Sequence, residues 1–509
     1  MALSLALFMA SLDNTILTIA LPTLARELGA SMDLLQWTVD SYMVTFAGLL
    51  LVAGALVDGW GMRRTFLVGT VAFTIFSLAA GLSPNVHMLI IARCLMGLGA
   101  ALLTPSTLAF VSTLFSDAKE RSIAFAVWSG ANAAGSAAGP LLSGILLEHF
   151  SWGSVFLINV PIGALVLPIA LLVLPKVTPQ RGSGGIDYIG ALLSTSSLAL
   201  ICWTFISAPG LGLTNPLILL GAGGGVALLV AFLAWERKFP NPILDLELFK
   251  NRRFAVAVGV AGLVTGAGGG ALFVLTQYLQ FSLEYGPLAS GIRILPVAAM
   301  LGLGAVLAPT MIKRIAIKRT VLVGLACVVI GLVWIGMAQV DTTYPMVLPG
   351  AMFFGFGSGL LIPAATQAVM DSLPQSSSGV GSATNSAMMQ MGSALGVAVA
   401  GALLAARYRR ALMSADFYAE LGQWRQKALD SIAGAIEAAQ RLGGELAQRL
   451  LDVAHYGFID GMRWALLAGA FSVFAAGVAV AFGYPDDRRD QRRAAQTTTT
   501  KSPNERRDD

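Results

Sequence analysis

Fourteen long apolar runs follow one another along this chain and limit its fold more than any other feature. A helix that crosses a membrane needs about 20 mostly apolar residues, and each run is close to or beyond that length. Only 12% of the residues are charged, whereas an ordinary soluble domain has about 25%. We therefore predict an all-α membrane protein with fourteen transmembrane helices. The runs cover approximately residues 2–21, 34–56, 65–82, 88–114, 123–147, 153–174, 188–206, 216–235, 254–280, 288–311, 320–338, 346–370, 379–405 and 463–484.

Lys and Arg are distributed unevenly between the connections on the two sides of the predicted membrane. Clusters such as Arg63 with Arg64 lie on one side, whereas the short connections on the other side carry only Arg26. Because cytoplasmic loops carry the excess of positive charge, this pattern predicts that both termini lie in the cytoplasm. The net charge of +5 comes from these loops and the tail, so it predicts topology and no nucleic-acid partner.

The connection at residues 406–462 is longer than the others and mixes basic with acidic residues. Its apolar residues Leu421, Trp424, Ala428, Ile432 and Ile436 recur at helical spacing. We expect a short amphipathic helical hairpin there, on the extracellular side; a solvated loop is the alternative. The polar segment 485–509 is expected to be a disordered cytoplasmic tail.

Motifs for nucleotide-driven or catalytic chemistry are missing from the sequence. It contains no Gly-x-x-x-x-Gly-Lys-Ser/Thr loop, no His-Glu-x-x-His and no Gly-x-Ser-x-Gly. Cys94, Cys202 and Cys327 lie in separate apolar runs, which gives no pattern for a disulfide framework or a metal cluster. We therefore expect neither an enzyme nor a cofactor or metal, and uphill transport would have to use an ion gradient.

Three charged residues lie well inside the apolar runs. They are Asp13 in the first run, Asp40 in the second and Arg93 in the fourth. Ionisable residues inside a membrane are costly, and they mark ion pathways or pair with one another. We expect Arg93 near one or both aspartates at a polar cavity, where the carboxylates load and release protons. A purely structural Asp–Arg pair is the alternative.

Several motifs resemble the major facilitator superfamily. The stretch from Gly54 to Arg64 resembles its loop signature G-x-L-x-D-R-x-G-R-R/K-R, with Gly59 and Met62 in place of two basic residues. Arg93 with Gly97 resembles the fourth-span pattern R-x-x-x-G. Residues 12–22 resemble the first-span signature of the fourteen-span drug:proton antiporter branch.

The resemblance implies two six-helix bundles, residues 1–175 and 254–484, that alternate between inward-open and outward-open forms. Residues 176–253 would add two linking transmembrane helices and a cytoplasmic loop. The implied cytoplasmic gate motif, in which Asp58 would meet the N-terminus of span 13, consists of Gly54, Asp58, Gly61, Arg63 and Arg64. The two arginines could instead be positive-inside charges alone.

The fifth span resembles the antiporter signature G-x-x-x-G-P-x-x-G-G. Its residues are Gly135, Gly139, Pro140 and Gly144, with Ser143 in place of one glycine. Gly135 and Gly139 lie one above the other on a helix face, and Pro140 removes a backbone donor and bends the helix. A smooth, bent face would let the two halves close tightly and limit the leak of protons.

A mostly apolar cavity with a few polar groups is expected to hold the substrate. The candidate residues are Trp128, Asn132, Gln277, Tyr278, Gln280, Asn385 and Gln390. The resemblance implies a monomeric efflux antiporter in the bacterial inner membrane that exchanges protons for small amphipathic drugs, either lipophilic cations or neutral amphiphiles. Export of an endogenous antibiotic, siderophore or lipid is the first alternative, and an importer or uniporter is the second.

Overall fold

A computed structural model gives the structure of residues 1–114, 118–175, 187–240, 242, 244–373 and 378–483. Helices account for all the regular structure of these described ranges. The first part of the chain forms α1 (Ala2–Glu27), α2 (Met32–Trp60), α3 (Met62–Gly81), α4 (Val86–Leu114), α5 (Ala118–His149), α6 (Ser154–Leu157) and α7 (Asn159–Val173). Two further helices follow, α8 (Tyr188–Leu211) and α9 (Pro216–Glu236).

The second part of the chain begins with a short 3-10 turn at Leu248–Lys250 and then α10 (Arg252–Gln277), which continues as a π-helical turn, Tyr278–Ser282. The remaining helices are α11 (Pro287–Ile315), α12 (Ile317–Gly336), α13 (Tyr344–Asp371), α14 (Ser378–Met413), α15 (Arg425–Asp430), α16 (Ile432–Leu442) and α17 (Gly444–Gly483). A 3-10 segment, Asp416–Trp424, lies between α14 and α15.

Each of the fourteen predicted runs coincides with helical structure. Among the described residues, 12 helices are long and apolar enough to cross a membrane. These do not include α2 and α5, which have 29 and 32 residues. The all-α prediction is therefore confirmed, whereas the count of fourteen spans stays a prediction.

The two halves of the molecule repeat the same helix packing. α1 packs along α5 in the first half, as α10 packs along α14 in the second. The Thr15 hydroxyl on α1 donates to the Ser136 carbonyl on α5 at 3.1 Å, and the Thr265 hydroxyl on α10 donates to the Met389 carbonyl on α14 at 2.8 Å. Such matched contacts indicate an internal structural repeat, as found in many transporters.

The halves meet along two helix pairs, α2 with α14 and α5 with α11. A Cβ atom on Gly144 of α5 would lie 2.6 Å from the Leu288 Cα atom of α11. The Gln280 side chain of the second half donates to the Ile19 carbonyl of α1 at 2.8 Å. These contacts lie where α1 and α5 end and α11 begins, which we call the closed end.

The two helices between the halves form a hairpin that docks on the same boundary. α8 packs against α9 and also against both α2 and α14. At the start of α8, the Asp187 carboxylate accepts hydrogen bonds from the Gly190 amide at 2.8 Å and from the Trp235 indole of α9 at 2.9 Å. The linking helices are thus part of the packed structure.

The long connection between the last two predicted spans is largely helical. α14 runs to Met413 and α17 begins at Gly444, so both helices extend well beyond the predicted runs. α16 packs against α17 and α1, and the Ser431 hydroxyl accepts from the Gly434 amide at its N-terminus. The side of the membrane on which this segment lies stays a prediction, and the predicted tail lies outside the described residues.

Candidate functional site

The Asp13 and Arg93 side chains form a buried ion pair. The Arg93 Nη1 atom of α4 lies 2.5 Å from the Asp13 Oδ2 atom of α1, and both side chains are almost completely shielded, at 1% and 0% exposure. A charge-assisted hydrogen bond of this kind is among the stronger polar interactions in proteins. The predicted approach of Arg93 to an aspartate is therefore present in the structure.

The second carboxylate oxygen of Asp13 is held by Asn159, which is in turn bonded to Ser77, and the sequence did not single out either residue for this role. The Asn159 amide of α7 donates to Asp13 Oδ1 at 3.2 Å and to the Ser77 hydroxyl of α3 at 3.0 Å. Ser77 in turn donates to the Phe156 carbonyl at 2.9 Å. The sequence signal for this role was that Ser77 and Asn159 lie inside apolar runs, where each polar group needs a hydrogen-bond partner.

Two groups on α2 hold the other side of the Arg93 guanidinium. Its Nε atom donates to the Thr38 carbonyl at 3.1 Å, and its central carbon lies 4.3 Å from the centre of the Tyr42 ring. The Phe156 ring lies 5.9 Å away. Carbonyl, aromatic ring and carboxylate together replace the water that an arginine would otherwise keep. The ion pair thus ties α1, α2 and α4 together.

Asp40 is buried but does not join this ion pair. Neither of its carboxylate oxygens has a hydrogen-bond partner among the described residues. Asp40 lies two positions from both Thr38 and Tyr42, and residues two apart on a helix point in nearly opposite directions. Of the two predicted partners of Arg93, the structure brings only Asp13 to it.

The predicted cytoplasmic gate motif lies at the junction of α2 and α3. Gly61 joins the two helices with a φ of +90°, a conformation that favours glycine. The Arg63 guanidinium donates to the Leu171 carbonyl near the end of α7 at 2.6 Å, while Arg64 is exposed. Gly54 lies on α2 with no atom within 4 Å of where a Cβ would stand. The Asp58 side chain and residues 374–377 lie outside the described part of the chain.

The predicted antiporter motif contacts helices of both halves. Cβ atoms on Gly135 and Gly139 would lie 3.0 Å from the Ser11 Cβ atom and the Ile16 amide nitrogen of α1. The carbonyl of Pro140, the residue after Gly139, packs on Gly291 of α11, and about one turn further along α5 Gly144 packs on Leu288. The motif therefore seats α5 on α1 at one level and on α11 at the closed end.

The two cavity candidates on α5 lie at its more open surface. The half-buried Trp128 indole donates to the Thr107 hydroxyl of α4 at 3.0 Å. Asn132 is exposed, and its side-chain oxygen accepts a hydrogen bond from the Ser11 hydroxyl of α1. These two side chains are available to a ligand at this surface of α5.

The other cavity candidates are more deeply packed. Gln277 donates to the Phe273 carbonyl of its own helix, and Tyr278 donates to the Thr342 carbonyl. Gln280 spans to α1 at the closed end, as described above. Asn385 is buried and donates to the Thr366 hydroxyl at 3.3 Å, and Gln390 is half-buried on α14.

An arginine near the start of α11 is a further residue that the sequence did not single out. The Arg293 guanidinium carbon lies 3.7 Å from the Tyr285 ring centre and 5.4 Å from the Tyr344 ring centre. The Tyr344 hydroxyl donates to the Arg293 carbonyl at 3.0 Å. In the sequence, Arg293 lies close to the start of the apolar run 288–311, where a charged residue at the edge of a transmembrane helix is common.

Comparison with known proteins adds the family. A family model described as Major Facilitator Superfamily matches residues 3–397. The chain belongs to the Major Facilitator Superfamily. It is thus a multi-pass membrane transporter rather than an enzyme, and the resemblance of its motifs to this superfamily is confirmed.

Three curated members of the superfamily illustrate its relatives. The tetracenomycin C resistance and export protein of Streptomyces glaucescens is 32% identical over 94% of this chain and 90% of its own length. The multidrug resistance protein Stp of Mycobacterium tuberculosis is 32% identical with the same coverage. The multidrug efflux pump LfrA of Mycolicibacterium smegmatis is 31% identical over 95% of each chain.

Solved structures of the superfamily share the fold. A bacterial homologue of the human lysosomal transporter Spinster, in an inward-facing and unoccupied conformation, has a TM-score of 0.65 at 15% identity. The match covers 95% of this chain and 97% of that chain. The nucleoside transporter NupG has a TM-score of 0.60 at 11% identity, with 95% and 100% coverage. At these identities the likeness concerns the fold alone.

Proposed function

We propose that this chain is a proton-coupled antiporter that exports amphipathic drugs, either lipophilic cations or neutral amphiphiles, by alternating access. It would act as a monomer in the bacterial inner membrane, with fourteen spans and both termini in the cytoplasm. α2 and α5 would be the two spans beyond the 12 helices counted above. The closed end would then be extracellular, and the structure would be an inward-facing state.

The names of the relatives support drugs as the cargo. Two of them are called multidrug resistance or efflux proteins. A further relative, the methyl viologen resistance protein SmvA of Salmonella typhimurium, is 30% identical over 88% of this chain and 90% of its own length. Asn132 and Trp128 on α5 supply polar atoms and an aromatic face for such a molecule.

The buried Asp13–Arg93 pair is the single observation that carries the proton coupling. Removing the charge of one partner from a buried pair leaves the other uncompensated, at a cost of about 3–5 kcal/mol. A proton that neutralises Asp13 would therefore favour a rearrangement in which Arg93 finds other acceptors. Binding of a proton would in this way become a movement of helices.

The position of α1 connects that movement to the boundary between the halves. Thr15, two residues from Asp13, donates to the Ser136 carbonyl between the two motif glycines of α5. α5 in turn packs on α11 of the second half. A shift of α1 relative to α4 would thus reach the α5–α11 contact and the closed end. Exchange would follow if proton and drug favour opposite forms.

Everted membrane vesicles provide the test. When the lumen of the vesicles is acidified, adding drug should release protons from the lumen if the vesicles carry the wild-type protein. Asp13→Asn should abolish this release while the protein still inserts. Asp341→Asn, which changes an exposed loop residue, is the matched control and should transport normally. Downhill drug movement that ignores the imposed proton gradient would contradict the proposal.

Export of an endogenous metabolite is the second candidate on the same fold. It is favoured by the relative called tetracenomycin C resistance and export protein. A resistance and transport screen over cationic, neutral and anionic amphiphiles would separate the two functions. Resistance confined to one compound class made by the host would favour the metabolite exporter.

A further inference from the structure

A second group of buried polar atoms lies on α2, and two of its side chains, Gln36 and Asp40, lie on the face of the helix that points away from Arg93. Neither carboxylate oxygen of Asp40 and neither amide atom of Gln36 has a hydrogen-bond partner among the described residues, and the same holds for the Ser41 hydroxyl. All three side chains are buried. Buried polar groups are nearly always paired, so a cluster of unpaired ones needs a specific explanation.

This cluster lies where three helices meet. Gln36 and Asp40 are one helical turn apart on α2 and share a face. Gln36 packs directly on Gly401 of α14, and Cys202 of α8 lies within electrostatic reach of Asp40. α8 therefore covers the Asp40 side of α2, next to α14.

The linking helix α8 remains in contact with α2 beyond Asp40. A Cβ atom on Gly48, two turns after Asp40, would lie 2.7 Å from the Thr195 Cβ atom of α8. The Thr195 hydroxyl is itself buried without a hydrogen-bond partner among the described residues. The α2–α8 contact is thus close enough to exclude water from this stretch.

The surroundings of Asp40 carry few other charges. On α8 the titratable neighbour is Cys202, and on α4, across α2, it is Arg93 with its partner Asp13. α14 presents Gly401 here, and its nearest titratable side chains along the chain begin at Arg407. A carboxyl group in this position is favoured in its neutral, protonated form, because an unpaired buried charge is costly.

Alternating access has a specific consequence for α8. Opening the closed end requires α2 of the first half to part from α14 of the second. α8 packs against both of them, so it must lose its contact with at least one. Whichever contact breaks, the wall around Asp40 changes.

We propose that Gln36 and Asp40 form a proton site separate from the Asp13–Arg93 pair, with the linking helix α8 as its movable wall. The inference rests on the proposed antiport and assigns the linking helices a part in coupling. When the wall parts, water reaches Asp40, whose carboxyl group releases its proton to that water and becomes a carboxylate. Closing the wall again requires a proton to bind the same oxygen atoms.

Labelling of Cys202 reads the opening of this wall without any need for transport. Cys202 is fully buried. The sequence has three cysteines, so replacing Cys94 and Cys327 by alanine leaves Cys202 as its single thiol. In alkaline buffer, N-ethylmaleimide should label this protein at least about tenfold faster than its Asp40→Asn variant, which corresponds to about 1.4 kcal/mol in the opening equilibrium. Asp341→Asn in the same background is the matched control and should label like the parent.

The direction of this effect separates the proposal from a simple charge effect. A carboxylate close to Cys202 disfavours the reactive thiolate, so electrostatics alone would make the parent slower than Asp40→Asn. Faster labelling of the parent therefore supports opening. Equal or slower labelling of the parent in alkaline buffer would overturn the proposal.

A disulfide across the wall provides an independent test. In a background without native cysteines, Gly48→Cys with Thr195→Cys joins α2 to α8. Gly69→Cys with Leu102→Cys is the matched control within the first half, since a Cβ on Gly69 would lie 2.9 Å from the Leu102 Cβ atom. Oxidation should block transport in the first pair only, and reduction should restore it.

The two proposals fail in distinguishable ways. If the wild-type protein releases no protons on addition of drug but Cys202 labelling still depends on Asp40, the antiport is refuted and the Asp40 site stands. If vesicles exchange drug for protons but Cys202 labelling does not depend on Asp40 and the α2–α8 disulfide does not block transport, the antiport stands and this inference is refuted.

Discussion

Asn159 donates its side-chain amide to Asp13 across 3.2 Å and so occupies the carboxylate oxygen that Arg93 leaves free. The same amide group reaches Ser77 at 3.0 Å, which connects α1 with α3 and α7. The candidate proton site is therefore shared among five helices of the first half, because Thr38 and Arg93 add α2 and α4. A proton on Asp13 would be felt by all of them.

Replacing Asn159 by Leu should change the pH dependence of transport. The variant removes the only donor to Asp13 Oδ1 among the described residues, so drug-driven proton release should be weaker than in the wild type and should differ from it in its pH dependence. The lost hydrogen bond should also cost about 1–3 kcal/mol of stability. Proton release measured across a pH series checks this, with Asn215→Leu, at the start of α9, as the control. An unchanged pH profile would leave Asn159 a structural role only.

The variant pair at Asp13 and Arg93 separates structure from coupling. Asp13→Asn leaves the Arg93 charge buried, which should destabilise the protein by about 3–5 kcal/mol. Adding Arg93→Gln removes that charge and should recover most of the stability. Melting in detergent measures the recovery, and vesicle assays should show no proton-driven transport in the double variant. Recovered transport would mean that the pair is structural.

Gly139→Ala should disturb exchange, whereas Gly130→Ala should not. A Cβ on Gly139 would collide with the Thr15 side chain and lie 3.0 Å from the Ile16 amide nitrogen, so α5 must move away from α1. Gly130, on the same helix, has no atom within 4 Å of a Cβ position. The ratio of protons released to drug transported, measured in vesicles, should fall in the first variant. Equal ratios in the two variants would contradict this role.

Gln280→Leu should make the closed end easier to open. The Gln280 side chain bonds to Ile19 across the boundary between the halves, and a hydrogen bond of this kind contributes about 0.5–1.5 kcal/mol. Gln277→Leu is the matched control, because Gln277 bonds only within its own half, to Phe273. Spin labels on exposed positions of the two halves at that end should report longer distances for Gln280→Leu alone. Identical distance distributions would show that other contacts hold this end.

Asp430, in the segment between α14 and α17, should give an acid-dependent stability. Burial raises the pKa of its carboxyl group, and the hydrogen bond from Gln426 and the nearby Arg409 only partly oppose this. Since the folded pKa lies above the unfolded one, its contribution is present at acid pH and is lost as pH rises through the folded pKa. The melting temperature should therefore depend less on pH in Asp430→Asn than in the wild type as pH rises through the folded pKa of Asp430. An unaltered pH dependence of the melting temperature would contradict this contribution of Asp430.

Much of the fold could be predicted from the sequence because the bilayer imposes a length rule on every span. The apolar runs all coincide with helices, and the motifs placed the chain in its superfamily. The end of α14 and the start of α17 could not be predicted in this way. They continue into the amphipathic connection, where mutual packing rather than hydropathy decides how far a helix runs.

The candidate site was predictable only in part. Inside apolar runs, Asp13, Asp40 and Arg93 stand out individually, since each charge is costly in a membrane. An approach of Arg93 to an aspartate was expected, but the choice of Asp13 over Asp40 did not follow, because it depends on which face of each helix meets a neighbour. Asn159 and Ser77 carry weaker signals, and their role appears only when α7 and α3 reach the same depth as Asp13.

By itself, the sequence determined that this chain is a helical membrane transporter with acids and an arginine held in its interior. Hydropathy and local motifs are properties of short stretches, so they can be recognised without knowledge of how the helices pack. Only the tertiary structure decided that Arg93 binds Asp13 while Asp40 turns toward α8 and α14. The reason is physical: Thr38 and Asp40, two residues apart on α2, point in directions that differ by about 200°. Which neighbouring helix each side chain meets is decided only by the packing around α2.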